Sequence, residues 1–386
     1  MIEQSRESVK KALFILDYPL SEWKGTQRTI YEFANYLYQM GYGVTLLENS
    51  KETQYSLDAK LPIPFKIISS PFRRFKKTKI IRNAVRTEKP DVIYSANIID
   101  PFIPTFGVKT IFGMHVLNVS AIPYMRLNEK IKFFFVQVSL SIFSFAFWKR
   151  GRVMFHADNY DQLNWVKRIY FGRYRVDFVG LPVECTGGND LNPIKQKTKN
   201  DRFTILFFGA LDKGRGFETY YKMILALKDD PIFDSLQFVI AGIGKMADIA
   251  EEAQHHFHNV RYVPKPSEDL KREVMITSDL FIFPSFIENY SIGTVEAQLN
   301  GLPALVLDTA SFRNIIVEGK TGFCITGPDL IGQLVQKIKY YYNIWSSDYD
   351  SYQKMRSDIA ELTKRLCKEK VLPDFHKMII EFLKER

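Results

Sequence analysis

The chain has 386 residues, too many for one ordinary core and suited to two domains of about 150–200 residues each. Apolar residues make up 46% and charged residues 25%, which excludes a disordered chain and a multi-span membrane protein. The net charge of +10 is lopsided: residues 1–183 hold 27 Lys and Arg against 15 Asp and Glu, while the rest holds 26 against 28. Only the first half therefore calls for an anionic partner, whether a membrane surface, a phosphorylated acceptor or nucleic acid.

The N-terminal stretch MIEQSRESVKKA is polar and charged and lacks the order of a secretory signal. Apolar runs at 12–16, 44–47, 64–69, 91–95, 108–112 and 176–179 then read as strands, with a helix over 26–40. The apolar run at 133–148 is interrupted by Gln137, Ser139, Ser141 and Ser144 and is shorter than the ~20 residues a spanning helix needs, so it is not expected to cross a membrane. Residues 184–201 carry Gly, Pro, Asn and Lys and read as a linker. Strands restart at 203–208, 237–241, 260–263, 280–283 and 304–307, with a helix from about 217. Pro373 is expected to break the last helical stretch ahead of 375–383. Strands alternating with helices imply two α/β domains, each a doubly wound parallel sheet. Cys185, Cys324 and Cys367 lie far apart without CxxC spacing, so neither a disulfide framework nor a thiolate metal site is expected, and a reducing cytosol fits best.

The most informative stretch is 283–307, FPSFIENYSIGTVEAQLNGLPALVL, where Glu288 and Glu296 stand eight apart. Pro284 and Ser285 stop the strand, Asn289 and Ser291 supply cap-type side chains, a helix is expected over 295–299, and Gly301 and Pro303 end it. In a parallel sheet, ligands bind just past the carboxyl ends of strands, where a helix N-terminus offers free N–H groups. Glu288 lies where a ligand's polar edge would fall. A carboxylate at Glu296 can accept both hydroxyls of a vicinal diol such as a ribose, so together the pair suits a sugar nucleotide. Taken singly, a first-turn Glu that favours the helix dipole and a solvated Glu explain the same residues.

With Pro284-Ser285 before it, Glu296-Ala297 at its end and Gly301-Leu302-Pro303 after it, the segment resembles the E-x7-E signature of the retaining "group 1" glycosyltransferases of GT-B fold. The resemblance covers most of the chain and is strongest over 203–327. It implies two Rossmann-like domains facing each other across a cleft: an acceptor domain at 1–183, a linker at 184–201, a nucleotide-sugar domain at 202–370 and a last helix at 371–386 that packs back on the first domain. It also implies transfer from a nucleotide diphosphate sugar without metal or other cofactor. Glu296 would hold the ribose, and Glu288 the sugar hydroxyls and the developing oxocarbenium charge. The backbone amides of Asn289, Tyr290, Ser291, Ile292 and Gly293 would orient the sugar.

Supporting turns fall in order. Gly209-Ala210-Leu211-Asp212-Lys213-Gly214-Arg215-Gly216 follows a strand, and glycine with cationic side chains can hold a diphosphate. The family pattern is Gly-Arg-x-x-x-x-Lys-Gly; here Ala210 occupies the arginine position, Arg215 the lysine position, and Lys213 is the candidate replacement. Gly242-Ile243-Gly244 resembles the family's turn near the base, against a plain tight turn. Gly25, at the start of the first helix beside Lys24, stands where the family often has a Gly-Gly pair facing the diphosphate. His115 ends the 108–112 strand and resembles the family histidine beside the transferred sugar, which implies sugar binding and transition-state support. His255, His256 and His258 read as solvated residues, and Asp348 and Asp350 as a chance DxD.

Cations cluster at Arg73, Arg74, Lys76, Lys77, Lys79, Arg82 and Arg86, and around 133–148 at Lys130, Lys132, Lys149, Arg150 and Arg152. With six phenylalanines, 133–148 reads either as part of a bilayer-interface surface or as a buried helix. The expected partners are a nucleotide-sugar donor, a lipid-linked or other glycan acceptor as in capsule, O-antigen or glycolipid assembly, and an anionic membrane, with no nucleic acid. The expected location is peripheral, at the cytoplasmic face of a membrane. A sugar-nucleotide epimerase of the same fold, and a non-enzymatic membrane- or nucleic-acid-binding protein with a decayed cleft, are the alternatives.

Overall fold

The computed structural model describes residues 10–20, 25–50, 64–72, 76–96, 100–115, 122, 125–185 and 199–385. Lys24, Arg73, Arg74 and most of the expected linker lie outside them. The chain divides into two compact units, one of Met1–Pro182 with Glu369–Arg386 and one of Val183–Lys368.

In the first unit the chain runs β1 (Lys11–Leu16), α1 (Gly25–Gln39), β2 (Gly43–Asn49), β3 (Lys66–Ser70), α2 (Lys77–Glu88), β4 (Val92–Ala96), β5 (Lys109–Gly113), α3 (Leu127–Phe147), β6 (Val153–Ala157), α4 (Tyr160–Ile169) and β7 (Arg175–Phe178). Among the described residues the strands form one parallel sheet in the order β3-β2-β1-β4-β5-β6-β7. β1 beyond Lys11 and all of β4 are buried, so both faces of these central strands are covered. The order reverses between β1 and β4, the switch point where such sheets bind ligands. β6 was not among the expected strands.

α3 corrects two expectations. It is 21 residues long, enough in length and composition to cross a membrane, rather than the short run expected. The alternative of a buried helix also fails, because the helix is packed inside out: Gln137, Ser141 and Ser144 are its buried residues, while Ile131, Phe134, Phe135, Val136, Ile142, Phe145 and Phe147 are exposed. The inward serines are satisfied at short range, Ser141 Oγ donating to the Ile169 carbonyl and Ser144 Oγ to the Ser141 carbonyl. Trp148, just past the helix, is buried and donates Nε1–H to the Pro101 carbonyl. This inward polar face ties α3 to the first unit.

The second unit runs β8 (Phe203–Phe208), α5 (Phe217–Leu227), β9 (Leu236–Ala241), α6 (Ala247–His256), β10 (Val260–Val263), α7 (Glu268–Thr277), β11 (Leu280–Phe283), α8 (Ile292–Leu299), β12 (Ala304–Leu307), α9 (Ala310–Arg313), β13 (Gly322–Ile325), α10 (Leu330–Ser347) and α11 (Tyr349–Thr363). Its parallel sheet has the order β10-β9-β8-β11-β12-β13 among the described residues, with the switch point between β8 and β11. Behind the sheet Asp279 accepts from the Thr204 amide at 2.9 Å and pairs with the buried Arg356 at 3.3 Å.

The last helix, α12 (Lys368–Lys384), returns to the first unit. It runs through Pro373, contrary to the expected break there. Val371, Leu372, Phe375, Met378, Ile379 and Phe382 are buried in the core that holds Phe14, Ile30 and Leu37, and this burial outweighs the one helical hydrogen bond that proline removes. Phe375 stacks on Phe33 with ring centroids 3.8 Å apart.

The cysteines are also corrected. Cys185 and Cys367 form a disulfide across 182 residues, with Cα atoms 5.5 Å apart. Beside it the Lys368 amide donates to the Val183 carbonyl at 2.8 Å, and Lys368 Nζ lies 2.9 Å from Glu184. The chain passes between units at 182–183 and at 368–369, so the disulfide and these bonds tie together both crossing segments.

Candidate functional site

The carboxyl ends of β8 and β11 meet at the switch point of the second unit, and the two loops that leave them are built onto each other. The turn after β8 carries Lys213 to Arg215 as one 3-10 turn and ends at Gly216, φ +79°. A Cβ on Gly216 would stand 1.9 Å from the Pro284 carbonyl oxygen, so only glycine lets the loop after β11 seat there. That loop is then fastened by the Phe286 and Ile287 amides, both donating to the Gly214 carbonyl at 3.0 and 3.2 Å.

Arg215 reaches back across this junction, donating to the Ile287 carbonyl and to Glu288 Oε2. The Glu288 side chain is 12% exposed. Burial pushes its carboxyl above the usual carboxylate range, opposed by Arg215 and by the Asn289 amide. The Glu288 carbonyl accepts from Ser311 Oγ, which anchors the loop on α9.

α8 begins three residues earlier than expected, so Ile292 and Gly293 lie inside its first turn. Ser291 occupies the N-cap position, but its hydroxyl pairs with Thr294 Oγ1 at 2.8 Å rather than with a backbone amide. Among the five amides expected to orient a sugar, that of Asn289 donates to Glu288 Oε1 and that of Ile292 to the Tyr290 carbonyl. Tyr290 is buried, and Gly293 faces the Phe208 ring.

Glu296 carries a second cation, which the residue pattern did not reveal. Lys271 Nζ on α7 lies 2.8 Å from Glu296 Oε1, with both side chains largely buried, and also sits over the Phe208 ring at 5.5 Å from its centroid. The two residues are 25 apart, beyond the reach of local spacing.

The remaining expected residues fall as follows. Lys213 is 83% exposed and pairs with Glu218 at 3.1 Å. Gly209 and Gly242 are in contact through their backbones, a Cβ on Gly242 falling 1.9 Å from the Gly209 carbonyl oxygen. This close packing of two turns accounts for Gly242 without a ligand. Gly25 is the first residue of α1 and is exposed. His256 Nδ1 donates to the Glu252 carbonyl on its own helix, and His258 faces Asp234 at the surface. Asp348 caps α11 by accepting from the Ser351 amide at 3.0 Å, so the DxD is a helix start.

His115 is buried in a hydrogen-bonded cluster. Its side chain is 1% exposed, with Nδ1 2.8 Å from Asp158 and Nε2 2.7 Å from the Tyr94 hydroxyl, which also meets His156 Nδ1 at 2.6 Å. His156 Nε2 donates to the Val179 carbonyl, and burial, with the neighbouring His115, pushes this ring down to about 4. His115, His156 and Asp158 are close enough to share an ion, but the Tyr94 hydroxyl already bridges the two rings. Gly113 leaves room for this bridge, since a Cβ there would stand 2.6 Å from the Tyr94 hydroxyl. With both ring nitrogens held, His115 locks the ends of β4, β5 and β6 together.

A family model described as "Glycosyl transferases group 1" matches residues 189–362. An uncharacterized 41.2 kDa protein in the cps region of Klebsiella pneumoniae is 26% identical over 160 residues, 40% of this chain and 42% of that protein. A phosphatidyl-myo-inositol mannosyltransferase of Mycobacterium leprae is 25% identical over 128 residues, 33% of this chain and 34% of that protein. The chain thus spans less than half the length of these curated relatives. The crystal structure of WaaG, a glycosyltransferase involved in lipopolysaccharide biosynthesis, superposes with a TM-score of 0.69 at 15% identity, covering 95% of this chain and 99% of WaaG. Residues 189–362 therefore match the glycosyl transferases group 1 family, and the chain has the GT-B fold.

Proposed function

We propose that the chain is a retaining glycosyltransferase that moves a sugar from a nucleotide diphosphate donor to a lipid-linked or membrane-associated glycan precursor. The observation that supports it best is the pair Glu288 and Glu296, both largely buried yet each held by a cation, at the switch point where β8 and β11 end. Glu296 accepts from the ribose hydroxyls, and Glu288 holds the sugar and supports positive charge at its anomeric carbon. That carbon's bond to the diphosphate oxygen breaks as its bond to the acceptor oxygen forms on the same face, and the acceptor's proton passes to the leaving phosphate. Arg215, Lys213 and the N-terminus of α8 neutralise the departing diphosphate, so no metal is needed.

The acceptor class is supported by what the relatives are named for, a capsule-region protein, a glycolipid mannosyltransferase and a lipopolysaccharide enzyme. It is also supported by the first unit's charge and by α3. An apolar face bracketed by Arg126, Lys130 and Lys132 at one end and Lys149, Arg150 and Arg152 at the other suits the anionic cytoplasmic leaflet of a membrane. Transfer is tested by a thermal-shift screen of nucleoside diphosphates and nucleotide sugars, followed by transfer assays with the stabilising donor. Glu288→Gln and Glu296→Ala are expected to lose transfer by orders of magnitude while staying folded; near-normal turnover in both defeats the reading.

A further inference from the structure

We infer that Lys271 is a positioning residue for the donor's ribose, acting through Glu296; this rests on the donor site proposed above. Lys271 is the fourth residue of α7, whose first turn already carries Glu268 and Asp269 and whose N-cap Ser267 accepts from the Leu270 amide. A cation this close to a helix N-terminus opposes the helix dipole, so helix stability does not account for it. Its ammonium instead reaches α8, where it holds Glu296 Oε1 at 2.8 Å, with a weaker approach to the exposed Glu268 at 3.5 Å.

The consequence lies in what the pair leaves open. Glu296 Oε2 accepts no hydrogen bond among the described residues, while Oε1 is fixed. A glutamate side chain with one oxygen fixed has already lost its rotamer freedom, and its other oxygen stands ready for a hydroxyl. Pre-ordering of one such side chain is worth about tenfold in affinity. A carboxylate oxygen accepts and does not donate, which favours a vicinal diol over a group that needs a donor. The lysine thus sets selection for a ribonucleotide over its deoxy counterpart, without itself touching the sugar.

The experiment is calorimetric titration of UDP, GDP and ADP, carrying forward the tightest binder with its 2′,3′-dideoxy analogue. The parent protein is expected to prefer the ribonucleotide by tenfold or more, and Glu296→Ala to lose that preference. Lys271→Met is expected to weaken the ribonucleotide about tenfold while leaving the dideoxy analogue unchanged, with Lys271→Arg regaining most of the loss; unchanged melting of the free variants shows that they are folded. Equal weakening of both nucleotides by Lys271→Met would mean a phosphate contact and overturn the inference, and tighter ribonucleotide binding would mean that lysine competes with ribose and overturn it equally. Failure of the parent to bind any of the three sinks the donor site as well. Binding with no effect of Lys271 sinks only the inference.

Discussion

Arg215 Nη1 donates at once to the Ile287 carbonyl, at 3.0 Å, and to Glu288 Oε2, at 2.5 Å. One guanidinium therefore sets both the backbone and the side chain of the acidic loop. In the folded chain burial outweighs this cation, so the Glu288 carboxyl holds its proton to higher pH than an ordinary carboxylate. As pH rises the unfolded chain releases that proton first, so ionisation of Glu288 works against folding above the ordinary carboxylate range and costs nothing below it. Glu288→Gln removes that cost: at pH 7 its melting temperature is expected to equal or exceed the parent's, while transfer falls by roughly 100-fold or more. A clear drop in melting temperature defeats this account. Arg215→Ala removes the opposing cation, and the acid limb of its kcat/KM profile is expected to move to higher pH; a limb that stays or moves down argues against Glu288 as the titrating group.

Gly216 and Gly319 separate backbone strain from clash. Both have positive φ, +79° and +72°, so alanine at either costs about 1–2 kcal/mol in conformational energy. At Gly319 the new methyl meets nothing within 4 Å, whereas at Gly216 it meets the Pro284 carbonyl at 1.9 Å. Gly216→Ala is therefore expected to shift the loop that carries Glu288 and to abolish donor-induced thermal stabilisation. Gly319→Ala is expected to lower the melting temperature modestly and keep the donor response. Equal donor responses in the two variants would separate the seating of this loop from donor binding.

These features were unequally legible in the sequence. Of the strands that end at the site, β11 is an unbroken apolar run and β8 is broken only by Thr204, and Gly216, Arg215 and Glu288 lie in the turns that follow them, so local pattern is enough. β13 is hard to read because it is four residues long at the sheet edge and only half-buried, and β6 because His156 interrupts its apolar run. The start of α8 is obscured in the sequence because Gly293 weakens helix propensity while tertiary seating supports it. What local pattern cannot carry is the identity of distant partners. The sequence does not show that His115 meets Tyr94, His156 and Asp158, Glu296 reads as single until Lys271 arrives from another helix, and Ser141 and Ser144 of α3 look like interruptions until they prove to lie on its inward face.

The disulfide is another such distant pairing. Cys185 and Cys367 join segments 182 residues apart, and disulfides of this kind stabilise by about 2–4 kcal/mol. Peptide mapping without reductant is expected to recover the crosslinked pair. Reduction, or Cys367→Ser, is expected to lower the unfolding midpoint by matching amounts, while Cys324→Ser has little effect. Recovery of only the free thiols from protein kept under air removes the basis of this prediction.

The inverted packing of α3 makes a demand that the first unit does not meet by itself. Phe134 and Phe135 are 59% and 65% exposed, and removing one such ring from water is worth about 1.5–3 kcal/mol, or tenfold and more in partitioning. If an anionic bilayer covers them, the parent protein sediments with vesicles containing anionic phospholipid, and Phe134→Asp with Phe135→Asp lowers that partitioning at least tenfold without lowering the melting temperature, because neither ring supports the core. Salt separates the two contributions: raising it shortens the reach of Lys130, Lys132, Lys149 and Arg150 and weakens binding to anionic vesicles, while leaving the smaller, purely apolar partitioning into neutral vesicles unchanged. A second copy of the chain is the competing cover. A parent that is dimeric without lipid, with aspartate variants that are monomeric and vesicle binding that is absent throughout, would assign the face to self-association and remove α3 from the argument for a membrane-borne acceptor.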